Sequence, residues 1–149
     1  MVKVKRYQYE PTIIPIIEKS FQWPWSHVYI MNLKHRTDRK KNVIQQLKKN
    51  NITNYTFIEA IDGKALRGND TDQEFTNRMI KEGKVSVSAI ASKYRDYFKA
   101  GAIGVYLSFA KILDIALKES TGDILILEDD IDILDNFKEQ LMHYYKKLP

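Results

Sequence analysis

No cysteine occurs in these 149 residues, which excludes disulfides, thiolate zinc sites and cysteine nucleophiles. Histidine is scarce too: His27, His35 and His143 show no metal-ligand spacing. Neither Gly-x-Gly-x-x-Gly nor Gly-Lys-Ser/Thr is present, which argues against dinucleotide and P-loop readings. No apolar run reaches the roughly 20 residues that a membrane span needs. The basic start, Lys3, Lys5 and Arg6, is followed by no signal-peptide core. Ile13, Ile14, Ile16 and Ile17 are interrupted by Pro15 and closed by Glu18 and Lys19. Secretion by a cleaved signal is therefore not expected, and the cytoplasm is the expected compartment. There is no internal repeat and no dividing linker.

What is present is an ordinary globular composition, 44% apolar and 29% charged, rather than a disordered one. The length fits one domain. The formal charge of +5 is spread over helix surfaces among 19 acids, so nucleic acid is not the expected partner. A modest positive field serves a nucleotide diphosphate equally well.

Residues 1–26 read as an irregular extension, broken by Pro11, Pro15 and Pro24. Residues 27–149 read as the domain. A β-branched and aromatic run, His27 to Leu33, predicts a first strand. Lys34 to Asn50 predicts an amphipathic helix with Val43, Ile44 and Leu47 inward. Tyr55 to Ala60 predicts a second strand, closed by the turn Asp62-Gly63. That strand–helix–strand span is a βαβ unit and implies an α/β fold. Thr71 to Lys81 predicts a helix stopped by Gly83, and Tyr94 to Lys99 a short one. Gly104 to Glu119 is the most apolar helix, expected at the centre and covered on most sides. A final helix is expected after Asp135 as its cap, presenting Phe137, Leu141, Tyr144, Tyr145 and Leu148.

The chemistry gathers at strand ends. Ile124 to Leu127 reads as a buried strand, and Glu128, Asp129 and Asp130 follow directly. Unpaired charge is too costly inside such a strand, so the cluster is expected at its carboxyl end, the ligand-binding rim of open α/β sheets. Crowded carboxylates suit a hard cation such as Mg²⁺ or Mn²⁺; they equally suit the first turn of a following helix. Asp132 completes an Asp-x-Asp with Asp130. After the first strand, Asn32, Arg36, Asp38 and Arg39 lie at a helix start, where free N–H groups and paired arginines can grip a diphosphate. An ordinary charged first turn reads the same way. Asp62 closes the second strand as a nucleoside contact or a plain turn residue, and Ser108 is a ligand contact or bonds its own helix.

Taken in order, these pieces resemble glycosyltransferase family 25, the lipooligosaccharide-biosynthesis and procollagen galactosyltransferase group. They are Val28 to Leu33 with Arg36, Asp38 and Arg39; Glu59 to Gly63; Ile103-Gly104 with Leu107-Ser108; and Ile126 to Asp130. The resemblance implies a GT-A-like, Rossmann-type sheet with flanking helices. It also implies a UDP-sugar donor, with galactose as one candidate hexose, and inverting transfer to an acceptor hydroxyl on a glycan or protein. A divalent metal, Mn²⁺ or Mg²⁺, is expected on Glu128 and Asp130, with Asn32, Arg36, Asp38, Arg39, Asp62 and Asp129 on the nucleotide-sugar. The residues supply no obvious general base. The chain departs from the family around Ala102, Val105 and Ser108-Phe109, where an acidic residue, a cysteine and a Ser-His pair are usual. Family members also continue well beyond the acidic motif, so the domain is expected to lack the C-terminal half. A catalytically silent nucleotide-sugar-binding module and a metal-dependent phosphotransferase or nuclease stand as the other classes.

Overall fold

The computed structural model describes residues 23–86, 99–119 and 122–147, which fall in two compact units. Pro24–Ile133 forms the larger unit, and Trp23 groups with the segment from Leu134 onward. The extension through residue 22, the stretch 94–98 of the expected short helix, and Leu148 lie outside the described residues.

The larger unit is built around β1 (His27–Asn32). It pairs in parallel with β2 (Tyr55–Glu59) on one side and β3 (Ile124–Glu128) on the other, giving the order β2-β1-β3. The expected α/β class therefore holds, as a three-stranded parallel sheet flanked by helices. Because side chains alternate along a strand, Val28 and Ile30 face one way, and Tyr29 and Met31 the other. All four are buried, since β1 has a strand on each side. β3 is a correction. Its aliphatic run suggested burial on both faces, yet Ile124 to Leu127 are only half-buried. Among the described residues only β1 borders it.

α1 (Thr37–Lys49) starts three residues later than its pattern suggested, because Leu33 to Arg36 form a turn closed by the Arg36 N–H on the Leu33 carbonyl at 2.8 Å. It buries Val43 and Leu47, and its Lys40 ammonium stands 4.7 Å from the Phe57 ring. Phe57 is in register with Ile30, so α1 covers that face. α4 (Ala100–Glu119) covers the other, with Ile112 and Ala116 against Tyr29 and Met31 and, at the edges, Ile58, Ile124 and Ile126.

α4 corrects two expectations. It is buried along a single stripe, Ala100, Ile103, Gly104, Ser108, Ile112 and Ala116, while Val105, Tyr106, Leu113 and Leu117 are exposed. It is not covered on most sides by the described residues. Its 20 residues also match a membrane span by length and composition, although Lys111 and Asp114 break the apolar run. The buried stripe is the pattern of a core helix packed on a sheet.

Among the described residues, two helices lie between β2 and α4. The short α2 (Gly63–Arg67) had no sequence signal beyond its first residues. α3 (Asp72–Lys81) sends Phe75 and Met79 into a cluster with Val85, Ala100 and Ile103. Thr71 precedes α3 rather than beginning it. Its hydroxyl accepts the Glu74 N–H while the Glu74 carboxylate accepts the Thr71 N–H, a reciprocal capping box. The Thr71 N–H, and beside it the Thr71 hydroxyl, donate to the Glu74 carboxylate and hold it below its ordinary pKa, so this support is present at neutral pH and is lost as pH falls through the lowered value. Thr71→Ala should lower the unfolding free energy by about 1 kcal/mol in urea titrations at pH 7. Gly83, at φ +69°, ends this segment in the left-handed region that glycine enters without strain.

The smaller unit contains α5 (Phe137–Tyr145), whose Phe137 ring lies 6.0 Å from that of Trp23. Asn136, not the expected Asp135, occupies its N-cap position, and makes no side-chain cap bond.

Candidate functional site

Three parallel strands put their carboxyl ends on one rim. Three segments leave that rim: the β1–α1 turn, the β2–α2 junction and the acidic stretch after β3. They enclose a cleft of about 430 Å³, floored by Met31, Leu33, Ala60 and Ile61 and closed on the α4 side by Gly101, Val105 and Ser108. Arg36, Arg39 and Lys64 bring positive charge to its wall, and Asp62, Glu128 and Asp129 bring negative charge.

Asp129 is the pivot. It is buried, with its side chain 10% exposed. Oδ2 accepts from Asn32 Nδ2 at 2.7 Å, and Oδ1 from Arg39 Nη1 at 2.9 Å. The same Arg39 nitrogen reaches Asp130 Oδ2 at 3.1 Å, an exposed carboxylate. Asn32, buried at the end of β1, also donates to the Arg36 carbonyl at 3.1 Å and so ties the β1–α1 turn to the acidic stretch. Arg36 holds Asp38 through two bonds, Nε to Oδ1 at 3.0 Å and Nη2 to Oδ2 at 2.8 Å. The guanidinium keeps the Asp38 carboxyl well below the usual carboxylate range, and the pairing raises Arg36 in turn.

The opposite wall is set by close backbone packing. Asp62 caps α2, its Oδ1 accepting from the Lys64 and Ala65 N–H groups at 3.0 and 3.1 Å. The Ser108 hydroxyl donates to the Gly104 carbonyl at 2.7 Å and accepts the Ile61 N–H at 2.8 Å. It bonds its own helix and the β2 exit together. Gly63 and Gly104 meet where neither has room for a Cβ.

The eight residues expected on the metal or the nucleotide-sugar therefore lie around this rim. Arg36, Arg39, Asp62, Glu128 and Asp129 line the cleft; Asn32 stands behind Asp129, and Asp38 and Asp130 are bonded to the two arginines. His35 and Lys64 also line it and were not singled out, although each sits beside a recognised strand-end turn. Gln46, which binds the backbone after the acidic motif, gave no local signal at all.

Among the described residues no group of three or more His, Asp or Glu is arranged to hold an ion. Glu128 is exposed and has no partner among the described residues. Around the cleft five carboxylates (Asp38, Asp62, Glu128, Asp129, Asp130) stand against three cations. Both arginines are already neutralised by aspartates. A Mg²⁺-type ion takes as few as one or two carboxylates and completes its shell with water and phosphate oxygens, so a cation here would draw on the unengaged Glu128 and on a bound phosphate.

The sequence profile of glycosyltransferase family 25 (LPS biosynthesis protein) matches residues 25–149. A protein named as a glycosyltransferase in Acanthamoeba polyphaga mimivirus is 34% identical over 122 residues, which are 81% of this chain and 33% of that protein. Human procollagen galactosyltransferase 2 is 28% identical over 123 residues, 79% of this chain and 18% of its own length. A protein named as a glycosyltransferase in Haemophilus influenzae is 29% identical over 115 residues, covering 77% and 36%. The chain thus spans about a third or less of these relatives. No solved structure gives a significant match. With the profile running from just before β1 to the last residue, the chain belongs to glycosyltransferase family 25.

Proposed function

We propose that the cleft binds the diphosphate of a UDP-hexose, in a GT-A-like donor site, for inverting transfer to a hydroxyl on a glycan or protein. The observation that carries this reading is the rim itself: arginine, lysine and unengaged carboxylate converge on one cleft at the carboxyl edge of a parallel sheet. The names of the relatives support a sugar transferase, and the human one a galactosyl donor.

Glu128 and Asp130 would hold the divalent cation. When bound, that ion supplies neutralisation of the charge that gathers on the departing diphosphate. Arg39, fixed by the buried Asp129, presents a preorganised guanidinium to the same phosphates, and Arg36 and Lys64 extend the positive wall. The apolar floor of Leu33, Ala60 and Ile61 offers surface to a base or sugar ring. In an inverting transfer the acceptor oxygen bonds to the anomeric carbon as the diphosphate oxygen leaves, and the acceptor proton passes to a base.

UDP with Mn²⁺ at one hundred times its Kd adds about 2.7 kcal/mol, and should raise the melting temperature by roughly 5–11 °C. Asp130→Asn should abolish the part of the shift that needs Mn²⁺. A folded sample that no UDP-sugar shifts would sink the reading. Binding without hydrolysis or transfer would identify a nucleotide-sugar-binding module instead.

A further inference from the structure

The acidic stretch does not end in a regular element: Ile131 to Leu134 have no helix or strand of their own. A single side chain replaces that missing support. Gln46, half-buried on α1, donates from Nε2 to the Ile131 carbonyl at 2.9 Å and accepts the Ile133 N–H on Oε1 at 2.5 Å. A carboxamide bonded to a carbonyl and to the N–H two residues on imitates the paired bonds of a neighbouring strand. Arg39 lies seven residues earlier on the same helix, two turns away and on the same face. It grips Asp129 and Asp130. α1 thus holds the acidic stretch at two points, by charge at the Asp129–Asp130 turn and by amide after it.

We infer that Gln46 is a positioning residue for the Glu128–Asp130 site, fixing the backbone beyond Asp130 so that its carboxylate stays on Arg39. This rests on the nucleotide-diphosphate reading for its functional consequence, while the clamp itself is read from geometry alone. The matched side chain matters. Glutamate at this position keeps the acceptor for Ile133 but loses the donor for Ile131 and places a carboxylate against a carbonyl oxygen.

The test uses the full chain as wild type, Gln46→Leu and Gln46→Glu. Amide hydrogen exchange is read at Ile133, with Ile30 in β1 as reference, and UDP affinity is titrated in Mn²⁺. Expected are at least tenfold faster exchange at Ile133 in Gln46→Leu with Ile30 unchanged, and at least fivefold weaker UDP binding in both variants. Exchange at Ile133 that is unchanged in Gln46→Leu overturns the clamp, whatever the ligand result. Faster exchange with wild-type affinity overturns its role in the site. Wild type that fails to bind UDP, with Ile133 exchange still accelerated in the variant, overturns the nucleotide reading and leaves the clamp supported. Should Gln46→Leu fold poorly, Gln46→Ala, which likewise removes both bonds and is a good helix former, carries the same two readouts.

Discussion

Alanine at Gly104 is expected to lower the unfolding free energy by about 3 kcal/mol, the upper part of the range for overpacked sites. The added Cβ would stand 2.6 Å from the Gly63 nitrogen and 2.6 Å from the Ile61 carbonyl oxygen. Both are backbone atoms, which cannot rotate aside as a side chain can. Gly63 meets the same restriction from the other side, with a Cβ placed 1.7 Å from the Ala100 carbonyl oxygen. At this chain length the loss corresponds to a melting temperature lower by roughly 6–12 °C. Gly101, on the same helix, supplies the control. A Cβ there meets no atom within 4 Å, so Gly101→Ala should gain about 0.5–1 kcal/mol from helix propensity. Urea unfolding of the three proteins decides it: if Gly104→Ala matches wild type, the backbone contact is not what holds α2 against α4. Because Ile61, Asp62 and Lys64 line the cleft, the same variant should also weaken UDP binding.

The second large effect is at Asp129. Its two oxygens serve Asn32 and Arg39, and removing them leaves a buried amide and a partly buried guanidinium short of an acceptor. Asp129→Ala should therefore cost about 2–3 kcal/mol, measured by urea unfolding at pH 7. Asp130 contacts the same Arg39 nitrogen but is 54% exposed, and Asp130→Ala should cost less than about 1 kcal/mol. Stability separates the two neighbours, whereas nucleotide binding should not. Both substitutions are expected to remove the UDP·Mn²⁺ shift, one by misplacing Arg39 and the other by removing a ligand for the cation. Equal stability losses for the pair would show that burial does not govern this network.

Strand and helix periodicity made much of this fold legible in advance. β1, β2 and β3 were each visible as β-branched or aliphatic runs, and a helix between parallel strands forces their carboxyl ends onto one rim. That is why Asn32, Asp62 and Glu128, far apart in sequence, were expected together. The partners were not legible. The acidic cluster suggested mutual repulsion relieved by a metal, and nothing local showed that Arg39 would reach both Asp129 and Asp130. α2 escaped notice because its five residues are held by the Asp62 cap and by glycine packing on α4, neither of which has a period. The exposed face of α4 was misread for a related reason: overall apolarity does not say which side of a helix is covered. Gln46 was one polar residue among many on an amphipathic helix, and only the three-dimensional path of Ile131 to Ile133 gives it a task.

Val28 pairs with Tyr55 on one side and with Leu125 on the other, and this unequal spacing orders the assembly of the molecule. β1, α1 and β2 are contiguous and close short loops, whereas β3 must return across most of the chain, which is slower and entropically dearer. In a chain folding from its N-terminus, the basic half of the rim exists before its acidic half. During that interval Arg39 has neither aspartate, and the β3-facing edge of β1 is an unfilled strand edge open to pairing with another chain. Docking of β3 therefore closes an aggregation-prone edge and delivers Glu128, Asp129 and Asp130 in one event.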